Sequence, residues 1–133
     1  METLEELYGI GTKDVKLERY KTFTGKYLEF FKAPGDVTVK FECPEFTCRC
    51  PKTGQPDFAT IILEYIPREL CVEMKSLKYY LNSFRDEGHF HEEVTSLIEG
   101  DLRLLLNPVE LTVTGIFNVR GGIHPTIIVG DGS

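Results

Sequence analysis

The period of the apolar residues changes twice along this chain, and that constrains its fold more than any other feature. From Asp36 to Cys43, Val37, Val39, Phe41 and Cys43 alternate with Thr38, Lys40 and Glu42, the pattern of a half-buried strand. Phe58 to Ile66 is rich in β-branched and aromatic residues and reads as a second strand, closed by Pro67. From Val72 the period lengthens: Leu77, Tyr80, Leu81 and Phe84 fall at i, i+3, i+4 and i+7, one face of a helix that Gly88 breaks. A second helix is predicted from His91 to Leu106, with Val94, Leu97, Ile98, Leu102 and Leu105 inward and Asn107-Pro108 as its stop. The two-residue period then returns in Val109, Leu111, Val113 and Gly115, and after Arg120-Gly121-Gly122 in His124 to Val129. The order ββααββ predicts an α+β fold, a four-stranded antiparallel sheet with two helices on one face.

A chain of 133 residues can bury one core but not two independent ones, so residues 1–133 are expected to form a single domain. Within it, 36–130 would be the core and 1–35 an N-terminal arm ending in the Lys32-Ala33-Pro34-Gly35 turn. Arg19-Tyr20-Lys21-Thr22-Phe23 fits either a short strand or an arm laid against a neighbour. Nothing in the chain covers the second face of the sheet. On the third strand that face is largely Thr and Glu, and the sheet has two open edges. A closed ring of subunits with a polar, wet barrel would satisfy both, so a homo-oligomer is expected.

The formal charge of −6 opposes binding to a phosphate backbone, and no direct nucleic-acid partner is expected. No apolar run is long enough to span a bilayer, and Met1 to Glu6 does not resemble a cationic secretion signal. The expectation is a cytoplasmic protein without a membrane partner. Its four cysteines, Cys43, Cys48, Cys50 and Cys71, lack the paired spacing of a zinc site, and no metal is expected.

Between the first two strands, Cys50-Pro51-Lys52-Thr53-Gly54-Gln55-Pro56-Asp57 puts a thiol and a carboxyl at the two ends of a Pro/Gly turn. Cysteine in such a turn departs from the usual buried, structural role, and a carboxyl beside it can pass a proton. Asp57 also fits the ordinary role of closing a turn through a backbone N–H. Cys43 falls on a core-facing strand position, Cys71 fits packing, and Cys48 fits either role. Lys75 and Lys78 share a helical edge and can grip phosphates or simply face water, while Arg120 before Gly121-Gly122 is a further phosphate candidate. In His89-Phe90-His91-Glu92-Glu93, a Glu can take two hydrogen bonds from a guanine-like edge and a His can relay a proton. The same residues also fit plain helix N-terminal charge.

Together, Cys50 to Asp57, Glu73-x-Lys75-Ser76-Leu77-Lys78-Tyr79-Tyr80, Phe90-His91-Glu92 and Arg120-Gly121-Gly122 resemble the NADPH-dependent 7-cyano-7-deazaguanine reductases (QueF family) of queuosine biosynthesis, in their short single-module form. The resemblance runs from about Phe41 to Ile123. It implies the tunnelling fold, a ring of subunits with a decamer among its closures, and sites shared between subunits. It also implies that Cys50 attacks the nitrile carbon to give a thioimidate, that Asp57 protonates the nitrogen, and that His91 assists. Glu73, Glu92, Phe90 and Ser76 would hold the deazaguanine ring, and Lys75, Lys78 and Arg120 would bind the NADPH, used twice per nitrile. Met74 stands where the family usually has Ser or Leu. Val94 stands where some members carry a second cysteine that traps the nucleophile, which leaves Cys48 or another cysteine for that part. A Cys48–Cys50 bridge would be strained. Two other readings compete: a related amidinotransferase that adds ammonia to the nitrile on tRNA, and a ring-forming module that binds purine-like ligands without chemistry.

Overall fold

The computed structural model describes residues 16–132. Seven strands and two helices follow in the order β1 (Glu18–Lys21), β2 (Tyr27–Lys32), β3 (Val39–Arg49), β4 (Pro56–Ile66), β5 (Leu70–Val72), α1 (Met74–Asn82), α2 (His91–Leu106), β6 (Glu110–Phe117) and β7 (Thr126–Gly130). The ββααββ core is present as an antiparallel sheet in the order β3-β4-β6-β7. A second sheet, β1-β2-β5, was not expected. The segment read as an arm therefore contributes a hairpin, whose Leu28 and Phe30 are fully buried. Among the described residues no helix is long and apolar enough to cross a membrane.

The first core strand runs past its expected end at Cys43 to Arg49, through a bulge between Cys43 and Phe46. The bulge holds Pro44, whose missing N–H the ladder there does not need, and it moves the inward phase by one residue. Val39, Phe41 and Cys43 pack on the core before it, and Phe46 and Cys48 are buried after it. Cys48 is thereby a core residue.

The first helix is shorter than its apolar period, which continues to Phe84. Helical bonding ends at Asn82, and single turns bring Phe84 into the core, with N–H donation from Phe84 to the Leu81 carbonyl and from Glu87 to that of Phe84. The second helix has the expected bounds and stops at Asn107, in the left-handed region at φ 44°. Val94, Ile98 and Leu102 are fully buried, while Leu106 rather than Leu105 completes the stripe. Gly115 on β6 allows this helix to approach, because a Cβ there would lie 2.8 Å from Thr95 Oγ1 and from Phe117 Cε2. The uncovered sheet face is more apolar than expected: Ile62 and Ile128 flank Thr114 across the strands, and Phe58 is half exposed.

One buried carboxylate fastens the hairpin to both helices. Asp101, 1% exposed on α2, accepts the Tyr80 hydroxyl of α1 at 2.6 Å, the Thr24 hydroxyl at 2.7 Å and the Thr24 N–H at 3.1 Å. Burial, and then the Asp101 charge, push the Tyr80 hydroxyl far above its ordinary pKa, so it remains a donor. Asp101→Ala would strand these donors and is expected to cost about 3 kcal/mol, seen as a lowered melting temperature. Unchanged melting would show that the clasp contributes nothing.

Candidate active site

The turn between β3 and β4 is closed by its own backbone. Cys50 N–H donates to the Gln55 carbonyl at 2.8 Å, and Gly54 N–H donates to the Cys50 carbonyl at 2.8 Å. Gly54 adopts φ 71°, a left-handed conformation that favours glycine. Beside the turn runs the segment that leads into α2. Arg49 N–H donates to the Glu87 carbonyl at 2.9 Å, His89 N–H donates to the Arg49 carbonyl at 3.0 Å, and a Cβ on Gly88 would lie 3.4 Å from Pro51 Cα. The start of α2 is thus laid against the cysteine turn, which brings Phe90, His91 and Glu92 alongside it.

Cys50 is half-buried, and its thiol is lowered to about 7. The Thr53 hydroxyl is the main cause, followed by the backbone N–H groups of Thr53 and Lys52, with the Arg120 guanidinium adding a smaller part against the opposing effect of burial. Cys48, two residues earlier, is pushed up to about 11 by burial, by the nearby Asp57 charge and by Cys50. Burial also raises Cys43 and Cys71. Of the two thiols, that of Cys50, the expected nucleophile, is the one lowered, and the thiolate is the attacking form.

Asp57 is the register partner of Cys48 and points inward, 7% exposed. Its Oδ1 lies 2.9 Å from Arg120 Nη2 and its Oδ2 lies 3.4 Å from His91 Nε2. The His91 ring is held in turn by stacking on Phe117, with centroids 3.9 Å apart and planes 10° from parallel. Cys50, Asp57, His91 and Arg120 form one cluster built from both ends of the turn, the first turn of α2 and the β6–β7 loop. Arg120, expected at a phosphate, is committed here to Asp57 and also donates to the Pro56 carbonyl at 3.4 Å. Glu92 is exposed and engages no hydrogen bond or ion pair among the described residues. Phe90, the N-cap of α2, is 55% exposed. Glu93 and Glu87 instead hold the His89 ring at 2.8 and 2.9 Å.

The remaining predicted residues lie elsewhere. Glu73 caps α1, its carboxylate accepting from Lys75 N–H at 2.7 Å and Ser76 N–H at 2.8 Å. The Ser76 hydroxyl donates to the Glu73 carbonyl at 2.8 Å and accepts from Glu29 N–H at 3.0 Å, tying α1 to β2. Glu73, Lys75, Ser76 and Tyr79 line one concavity of about 750 Å³ with Arg19 and Tyr27, whose ring lies 4.3 Å from the Arg19 guanidinium carbon. Lys78 and Met74 line another, of about 290 Å³, beneath the β3 bulge. The two lysines are therefore on different flanks of α1. Not legible in the sequence were Thr53, which helps lower the Cys50 thiol, and Phe117, which meets His91 only in the fold.

The family whose model matches residues 56–133 is described as QueF-like protein. The chain is 55% identical over 109 residues to the NADPH-dependent 7-cyano-7-deazaguanine reductase of Halorhodospira halophila (strain DSM 244 / SL1), covering 80% of this chain and 92% of that protein. It is 63% identical over 89 residues to the same-named protein of Anaeromyxobacter dehalogenans (strain 2CP-C), covering 67% and 73% of the two. A crystal structure of the archaeosine synthase QueF-Like in the apo form superposes with a TM-score of 0.63 at 25% identity, over 77% of this chain and 98% of that one. With a matching motif set, fold and relatives, the chain belongs to the QueF-like family.

Proposed function

We propose that the protein is an NADPH-dependent nitrile reductase that converts 7-cyano-7-deazaguanine to 7-aminomethyl-7-deazaguanine through a Cys50 thioimidate. What carries this reading is a Cys50 thiol lowered in part by Arg120, the same guanidinium that pairs with Asp57, in a relative of reductases 53–63% identical to it. The structural likeness to an archaeosine synthase, at 25% identity, keeps ammonia transfer as the alternative.

In the first step the Cys50 sulfur attacks the electrophilic nitrile carbon. An S–C bond forms, one C–N π bond breaks, and the nitrogen takes up a proton equal to the one the sulfur gave up. Asp57 takes up the proton that the sulfur releases and passes it to the nitrogen, with the ring of His91 opposite its Oδ2 to assist the transfer. Arg120 fixes Oδ1 and thereby orients Oδ2. Glu92, exposed at the start of α2, would accept two hydrogen bonds from the amine and amide edge of the deazaguanine ring. When bound, NADPH supplies hydride, twice per nitrile. The residues around the 750 Å³ concavity fit such a cofactor, since Arg19 and Lys75 offer positive charge and Tyr27 and Tyr79 offer flat stacking surfaces.

The two groups of residues lie on different elements: Cys50, Asp57 and Glu92 at the β3–β4 turn and the start of α2, and Glu73, Lys75 and Ser76 at the start of α1. By its resemblance to the reductases, a complete site is read as shared between copies, with Cys50, Asp57 and Glu92 from one and Glu73, Lys75 and Ser76 from the next. The open sheet face and edges provide the surfaces for that assembly.

Incubation with the nitrile but without NADPH should yield a covalent adduct on the peptide carrying Cys50, detected by mass spectrometry of the intact and digested protein. Assembled, substrate-binding protein that forms no adduct would contradict the thioimidate.

A further inference from the structure

Resting on the reading of His91 and Glu92 as site residues, we propose that His89 is a positioning residue of the reaction: its ring, gripped between Glu87 and Glu93, fixes the start of α2, and with it His91 and Glu92, beside the Cys50 turn. The segment that leads into α2 needs such a hold. From Ser83 to Phe90 the chain runs in turns, with an isolated bridge from Gly88 to Arg49, the residue before Cys50. Phe90, the N-cap of α2, makes no side-chain capping bond. In a capping box the acidic third residue of a helix reaches back to the N-cap. Here that residue is Glu93, and it reaches one position further, its Oε1 lying 2.8 Å from His89 Nδ1. His91 and Glu92 fall between the two ends of that contact.

On its other side the ring meets Glu87, whose Oε1 lies 2.9 Å from His89 Nε2 and whose Oε2 lies 3.0 Å from Lys26 Nζ in the β1–β2 turn. Lys26, Glu87, His89 and Glu93 thus form one chain of paired groups from the hairpin to the helix. Against the opposing effect of burial, His89 and then Lys26 hold the Glu87 carboxyl below its ordinary pKa. A neutral imidazole carries one N–H, so only the imidazolium donates to both carboxylates at once. The fully buried Phe84 ring lies beneath, its centroid 4.2 Å from Lys26 Nζ and 5.8 Å from that of the His89 ring. The His89 side chain is 15% exposed, so its pairs are better shielded from water and salt than surface ones.

The test pairs steady-state kinetics with amide hydrogen exchange at the start of α2, where Val94 N–H donates to the Phe90 carbonyl at 3.0 Å. His89→Ala removes both ring contacts. The peptide carrying the Val94 amide should then exchange about tenfold faster than in the wild type. With the nitrile, kcat/KM should fall by about 10²-fold, as expected of displaced site residues. KM for NADPH should stay at the wild-type value, because Arg19, Lys75 and Tyr79 lie on other elements. Glu93→Gln keeps the volume of the side chain and removes one charged partner, so both readouts should move the same way by a smaller factor. Wild-type exchange in both variants would overturn the proposal, as would faster exchange with unchanged nitrile kinetics. A loss in which KM for NADPH rises as well would also overturn it, making His89 a support of the whole fold. Exchange needs neither nitrile nor NADPH. Faster exchange in variants of a protein that reduces no nitrile would therefore uphold the hold of His89 on α2 and sink only the reductase reading.

Discussion

Cys50→Ala is expected to abolish substrate-dependent NADPH oxidation, a loss of order 10³-fold or more, because it removes the only atom that can form the thioimidate. The substitution should leave the fold intact. The turn is closed by the Cys50 backbone N–H and carbonyl, which alanine keeps, and the thiol sits in the turn rather than in the core. Cys48 cannot take over, since it is fully buried and held as the thiol at neutral pH by a pKa of about 11. Ligand binding should survive, because Glu92 and the start of α2 are untouched. That combination separates an enzyme from a module that only binds purine-like rings: the module would behave identically with or without the sulfur.

Asp57→Asn is expected to lower turnover by about 10²- to 10⁴-fold while leaving Cys50 open to alkylation. Asparagine fills the same space at a position that is 7% exposed. It keeps an oxygen for Arg120 but places no ionisable oxygen opposite His91 Nε2, so the proton for the nitrile nitrogen has no donor. Arg120 is 43% exposed and can turn its charge to water, so the melting temperature should change little. The measurement is kcat beside the alkylation rate. Equal loss in both would mean that Asp57 acts by shaping the turn, and loss in neither would remove it from the chemistry.

The parts of the fold legible in the sequence were those whose signal lies within one element. The second helix is bounded as expected because its apolar stripe is regular and Asn107-Pro108 gives a sharp stop. The extension of β3 was hidden by Pro44, since a bulge advances the alternation by one residue and makes the strand look finished at Cys43. The β1-β2-β5 sheet was hidden because β5 has three residues and the hairpin mixes polar with aromatic positions, so its burial depends on Asp101 and Tyr80 far along the chain.

The site divides in the same way. Cys50 and Asp57 were visible as the two ends of one turn, and His91 as the opening of a helix. The approach of Arg120 to Asp57 and the stacking of Phe117 on His91 arise from β4–β6 pairing, which no local pattern encodes. Glu73 was read as a binding group, and its carboxylate caps a helix besides. Lys75 and Lys78, three residues apart, looked like one phosphate grip, but α1 lies between two concavities and turns one lysine into each.

The most direct test of the central claim is the amount of NADPH oxidised at limiting 7-cyano-7-deazaguanine, followed at about 340 nm with the amine product quantified in parallel. Reduction of a nitrile to a primary amine consumes two hydrides, so the account predicts about two NADPH oxidised per amine formed. Assembled protein that oxidises no NADPH, or that incorporates ammonia instead, would contradict it and leave the ammonia-transfer chemistry as the reading to pursue.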